Sequence, residues 1–145
     1  MQRILGLVLA LLIFPPQAVA QTITAVCKNP TGQVVGIESS GVVVNKPDGI
    51  TGGQFVITWA MGAKTAQVVA QGAGGGPPIT ETAYLVHYSD EQISFVVDYP
   101  KAVWLYSLFL RPGHLLITRH VNGFVLSSGG AICNALHAPC DISAK

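Results

Sequence analysis

Polar and apolar residues alternate along most of this chain. Between Gly53 and Ala60, Phe55, Ile57 and Trp59 fall on one side and Gln54, Val56 and Thr58 on the other. That period of two marks a half-buried β-strand. Ile79–Tyr88 repeats the pattern, with Thr82, Tyr84, Val86 and Tyr88 set against Ala83, Leu85 and His87. Gln92–Asp98 places Ile93, Phe95 and Val97 on one face. Shorter strands are predicted at Ile23–Lys28, Gln33–Ile37, Gly41–Asn45, Leu115–His120 and Phe124–Ser127, with a last edge strand at Ala131–Leu136. Lys64–Gln71 reads as a weaker strand, although its Ala, Lys and Gln residues also suit a helix.

The stretch Ile93–Leu126 carries most of the large apolar side chains and is the expected hydrophobic centre. Within it, Ala102–Leu110 is apolar on both faces, as in a strand covered on both sides.

Turn chemistry divides these strands. Asn29-Pro30-Thr31-Gly32 and Lys46-Pro47-Asp48-Gly49 both place Pro where a turn accepts it. Arg111-Pro112-Gly113-His114 fits a type II turn, and Asn122-Gly123 fits the tight turn of a hairpin. The run Gly72–Pro78, five residues of which are Gly or Ala before its diproline, reads as a solvated loop. It lacks the Lys and the following helix that a phosphate cradle needs. The expected fold is all-β: an antiparallel meander of about eight to ten short strands, closed into a small barrel or split into a two-sheet sandwich.

The N-terminus breaks the pattern. A basic Met1-Gln2-Arg3 precedes eleven apolar or small residues, Ile4–Phe14, then Pro15-Pro16 and the small-x-small Ala18-Val19-Ala20. This is the layout of a cleaved secretory signal over residues 1–20, leaving one domain over 21–145 and an exported, periplasmic or extracellular product. Eleven residues are too few to span a membrane, and no later run is long enough for a transmembrane helix. The strands are also short for an outer-membrane barrel.

Composition narrows the function classes. Half of the 145 residues are hydrophobic and 10% are charged, which excludes a disordered chain. Beyond residue 20, seven basic residues face seven acidic ones, spread singly. No basic patch is offered to nucleic acid.

In an oxidising compartment one disulfide is expected. Cys27–Cys140 ties the first strand to the tail and is preferred. Cys133 is then the free thiol, and Cys133–Cys140 is the alternative bridge.

Catalytic and cofactor signals are weak. His87, His114, His120 and His137 lack metal-ligand spacing, and His114 and His120 sit at opposite ends of one strand. Ser94 or Ser107 can be combined with His87 and Asp90 or Asp98, but no nucleophile elbow is present. No catalytic residue, metal site or cofactor is therefore assigned.

The polar cluster to examine first is Arg119, His120 and Asn122. Arg119 is the one charge inside an otherwise apolar strand. It either pairs with a carboxylate, Asp98 being the nearest candidate, or anchors a ligand through its guanidinium fork. The function expected from these features is a non-catalytic binding module for a small apolar ligand or a protein partner. The alternatives are an envelope interaction protein and, third, a small hydrolase.

Overall fold

The computed structural model describes residues 20–38, 40–122 and 130–145. Ten strands run in chain order: β1 (Thr22–Lys28), β2 (Thr31–Glu38), β3 (Val43–Gly49), β4 (Gln54–Ala60), β5 (Thr65–Gln71), β6 (Ile79–Tyr88), β7 (Gln92–Tyr99), β8 (Ala102–Phe109), β9 (His114–Asn122) and β10 (Gly130–Ala144). Every pairing is antiparallel, in the order β1-β4-β5-β6-β7-β8-β9-β10-β2-β3. A further β1–β10 ladder closes eight of the strands into a barrel, and β2 and β3 extend from it. The barrel, rather than the sandwich, is the form adopted.

Alternation builds the wall. Phe55, Ile57 and Trp59 of β4, Ile23, Ala25 and Cys27 of β1, and Ile93, Phe95 and Val97 of β7 all point inward and are buried. Each large apolar side chain taken out of water contributes about 1.5–3 kcal/mol. Alanines make room for the aromatics: Ala25, Ala66, Ala83 and Ala138 are buried among them. Trp59 packs edge-on to Phe95 with ring centres 6.2 Å apart, and its indole N–H donates to the Ala63 carbonyl at 2.8 Å. Lys64–Gln71 is strand rather than helix, because β4 and β6 pair it on both sides.

The organising strand is β10. Ala131–Leu136 is not an edge. It belongs to a fifteen-residue strand that pairs with β9 on one side and with β2 and then β1 on the other. That arrangement requires β1 and β2 to follow one another along β10. Consequently Asn29-Pro30-Thr31-Gly32 is a joint and not a reversing turn: Cys27 faces Cys140 while Thr31 faces His137, a slip of one residue.

Asn29 makes the joint by adopting φ 51°, a left-handed conformation that asparagine tolerates. Its side-chain oxygen accepts from the Gly52 N–H at 2.8 Å, and its own N–H donates to the Gly53 carbonyl at 2.9 Å. The Pro30 carbonyl accepts from the Ile50 N–H at 2.9 Å. These bonds pin the base of the β2–β3 hairpin.

Lys46-Pro47-Asp48-Gly49 is likewise not a turn but the second half of β3, with Pro47 opposite Gln33. Proline fits there because β3 is the free edge of the sheet, where a missing N–H costs no ladder bond.

Two other expectations change. Ala102–Leu110 is not covered on both faces. Trp104, Tyr106 and Leu108 point inward, whereas Val103 is 42% exposed on the outside. An apolar run by itself does not reveal whether a second layer covers it. The Arg111–Pro112 peptide is cis and Gly113 lacks a positive φ, so the turn there is not type II. Glycine is required for a different reason: a Cβ at Gly113 would lie 2.3 Å from the Cys140 carbonyl oxygen.

The Cys27–Cys140 disulfide forms as expected, across directly paired positions, and Cys133 is free. The Asn122-Gly123 turn and the Phe124–Ser127 strand lie outside the described residues. Among the described residues, no helix is long and apolar enough to cross a membrane.

Candidate ligand site at the barrel mouth

Toward one end of the barrel the apolar filling stops. Leu115 and Ile117 of β9 are buried in the core, and two residues on, at the same inward parity, stands Arg119. Its ladder partners are Trp104 on β8 and Asn134 on β10. Asn134 in turn faces Val34 on β2, and Val34 faces Lys46 on β3. Cross-strand partners lie on one face of a sheet, so this row runs around the interior from β8 to the β2–β3 hairpin.

Arg119 lies over the Trp104 ring, 5.2 Å from guanidinium carbon to ring centre. Asn134 is 6% exposed, and its amide nitrogen donates to an oxygen of the Asp48 carboxylate. The other Asp48 oxygen accepts from the Gly49 N–H at 2.9 Å. Asp48 thus reaches the row from β3 and ties the hairpin to β10.

Two adjoining cavities of about 180 and 160 Å³ open here, and both are lined by Asp48, Arg119 and Asn134. The first is bounded by Val34, Gly36 and Val44 of the hairpin. The second descends toward Ile50, Phe55, Ile117 and Leu136.

The polar atoms are incompletely satisfied. Arg119 Nε and Asn134 Oδ1 are buried without a hydrogen-bond partner, as are Tyr106 Oη and Glu81 Oε2. Among the described residues, no carboxylate stands within ion-pair distance of Arg119. Asp98, the expected partner, faces Val103 and is exposed, whereas Arg119 faces Trp104. Neighbouring residues of β8 point to opposite faces, so Asp98 and Arg119 lie on opposite sides of the wall.

Beside this row the Tyr99 hydroxyl donates to Glu81. Burial raises the Glu81 carboxyl above its ordinary value, and an interaction with the Tyr106 hydroxyl opposes that rise. Burial, reinforced by Glu81 and partly offset by Arg119, pushes the Tyr106 phenol far up, so it stays a neutral hydroxyl. The two groups face each other without completing a well-formed hydrogen bond.

The three residues singled out in the sequence therefore separate. Arg119 is interior. His120 is exposed on the outer face between Val103 and Cys133, in a shallow groove of about 510 Å³. Asn122 ends β9 opposite Ala131. Asn134, Asp48 and Trp104 were missed. Asn134 carried the same signal as Arg119, a polar residue at inward parity between Ile132 and Leu136. Asp48 was hidden by its resemblance to a turn.

The chain matches no protein-family model, no curated protein and no solved structure.

Elsewhere the titratable groups do not converge. His114 and His137 meet on the outer face, Nδ1 to Nε2, at 2.9 Å. No group of three or more His, Cys, Asp or Glu is placed to hold a metal among the described residues. Ser94 shares a hydrogen bond with Ser107 at 3.0 Å and accepts one from Gln92 at 2.8 Å; neither serine bonds a histidine among the described residues.

Proposed function

We propose that this protein is a non-catalytic binding module that takes a small ligand into the barrel mouth, and that it works outside the cytoplasm. The observation that carries the proposal is one pair of atoms. Arg119 Nε and Asn134 Oδ1 are neighbours on the interior row, both buried, both unpaired, and both on residues lining the same cavities. A buried polar group without a partner costs about 1–3 kcal/mol. A ligand that accepts from one and donates to the other offsets that cost, and the apolar floor supplies affinity for the rest of it.

Export is supported by the signal-like residues 1–20 and by the Cys27–Cys140 bridge, which persists in an oxidising compartment. The alternative, an envelope protein that assembles through its free β3 edge, is disfavoured by Lys46 and Pro47 on that edge.

Native mass spectrometry of protein purified from its own cell tests the proposal. A small bound mass in the wild type that is lost in Arg119→Met supports it. A ligand-free homo-oligomer sinks it in favour of edge assembly.

A further inference from the structure

Resting on that reading of the mouth, we infer that the ligand is an α-amino acid or a molecule with the same head group, a carboxylate and an ammonium on one carbon. Three observations carry this. The Arg119 side chain makes no hydrogen bond to another described residue, its buried Nε included, and its guanidinium lies against the Trp104 ring. It is an open fork for a carboxylate. Asp48 lines both cavities, yet only one hydrogen bond reaches each of its oxygens, from Asn134 and from Gly49. An ionised carboxylate accepts about four, so lone pairs remain for a cationic donor. Asn134 stands between the two: it is the ladder partner of Arg119 and the donor to Asp48, and its own oxygen is buried and free.

The site therefore presents a cation, then a neutral acceptor, then an anion, without letting the two charges meet. Among the described residues Arg119 and Asp48 form no ion pair, so neither has to give up the other to receive a ligand. A simple carboxylate would satisfy Arg119 and leave Asn134 Oδ1 and Asp48 unanswered. A simple amine would do the reverse. A zwitterion answers all three: its carboxylate accepts from Arg119, and its ammonium, with three donors, reaches Asn134 Oδ1 and Asp48.

Size and polarity agree. A water molecule takes roughly 30 Å³ of liquid, so each cavity holds only a few heavy atoms. The deeper cavity, lined by Ile50, Phe55, Ile117 and Leu136, suits a short aliphatic side chain beneath the charged head. Lys46, at the hairpin side of the outer cavity, adds a second positive charge on the carboxylate's approach.

Isothermal titration of the full, disulfide-bonded protein with L-alanine, L-valine, L-leucine, L-leucinamide and 4-methylvalerate tests the inference. At least one of the three amino acids is expected to bind. For leucine, loss of the ammonium in 4-methylvalerate or of the carboxylate in leucinamide should weaken binding about tenfold or more. Asp48→Asn should weaken leucine while leaving 4-methylvalerate unchanged. Arg119→Gln should weaken leucine and 4-methylvalerate while leaving leucinamide unchanged. Near-ultraviolet circular dichroism identifies variants that fold, and only those are compared; if Asp48→Asn does not fold, the wild-type probe series decides alone.

If 4-methylvalerate binds the wild type as tightly as leucine, the head group is a plain carboxylate and the inference is overturned, although the mouth remains a binding site. If none of the three amino acids binds while a small mass co-purifies, the inference again fails alone. If no probe binds and nothing co-purifies, the binding-module reading fails with it.

Discussion

Arg119 and Trp104 face each other directly across the β8–β9 ladder, with the guanidinium 5.2 Å from the centre of the indole ring. Such a contact contributes about 0.5–2 kcal/mol, depending on how dry it is. It orients the cation without neutralising it, which distinguishes Arg119 from the member of a structural ion pair. Breaking a buried ion pair by removing one partner costs about 3–5 kcal/mol. Arg119→Met keeps an unbranched apolar stem and removes the guanidinium, losing the Trp104 ring contact and the unpaired buried Nε together, with no ion pair to break among the described residues. Urea unfolding should show a stability within about 1 kcal/mol of the wild type, or higher. A loss of the ion-pair size would show that Arg119 is there to hold the barrel together.

Tyr106 offers a parallel case one layer deeper. Its ring is fully buried against Phe55, 6.2 Å centre to centre, while its hydroxyl lacks a well-formed partner. Tyr106→Phe keeps the ring and removes the unsatisfied oxygen. The expected change in unfolding free energy is within about 1 kcal/mol of zero, since a hydrogen bond not made cannot be lost.

Glu81 should make stability depend on mild acid. Its carboxyl is raised above the ordinary 4.5, chiefly by burial, so the fold favours its protonated form. That contribution is present in full below the unfolded value and is lost as pH rises through the higher folded value. Glu81→Gln mimics the protonated state and can still accept from Tyr99. Thermal melts should find the variant matching the wild type near pH 4 and melting higher than it at pH 7. Equal melting temperatures at both pH values would contradict this account of Glu81.

The β10 spine is held at close quarters by two glycines and one disulfide. A Cβ at Gly32 would lie 1.8 Å from the Ala135 carbonyl oxygen, and one at Gly113 would lie 2.3 Å from that of Cys140. In both cases backbone must shift, so Gly32→Ala and Gly113→Ala should each cost about 1–3 kcal/mol, the usual range for forced overpacking. Gly72→Ala, in open space and without a positive φ, serves as the neutral control. Equilibrium denaturation checks all three.

The Cys27–Cys140 bridge joins positions 113 residues apart. The chain-entropy model assigns about 4–5 kcal/mol to a loop of that length. The double variant Cys27→Ala, Cys140→Ala should lose a stability of that order in urea. One thiol per chain, on Cys133, should react in the unreduced, unfolded protein.

The wall of the barrel was legible in the sequence because period-two alternation is a local property. Phe55, Ile57 and Trp59, or Ile93, Phe95 and Val97, declare a strand without help from elsewhere. What escaped depends on contacts distant in sequence. Pro30 and Pro47 carry turn chemistry, but β10 lies along β1 and β2 and draws the first into a joint, while the free edge of the sheet accepts the second. Asp98 was assigned to Arg119 by proximity in the meander, and the register places it on the other side of the wall. Arg119 was found because a charge in an apolar strand is conspicuous in one dimension. Asp48 joins Asn134 across 86 residues, a relation that only the closed barrel creates.

Trp104 reports on the mouth directly. The chain has two tryptophans, and Trp59 lies in the packed core, so a Trp59→Phe variant leaves a single indole beneath Arg119. Its emission should shift in wavelength and saturate as whichever of L-alanine, L-valine and L-leucine binds is titrated in, and the same titration on Trp59→Phe combined with Arg119→Met should be flat. Saturable binding measured by heat with no change in Trp104 emission, or an identical response without Arg119, would place the ligand elsewhere and contradict the account.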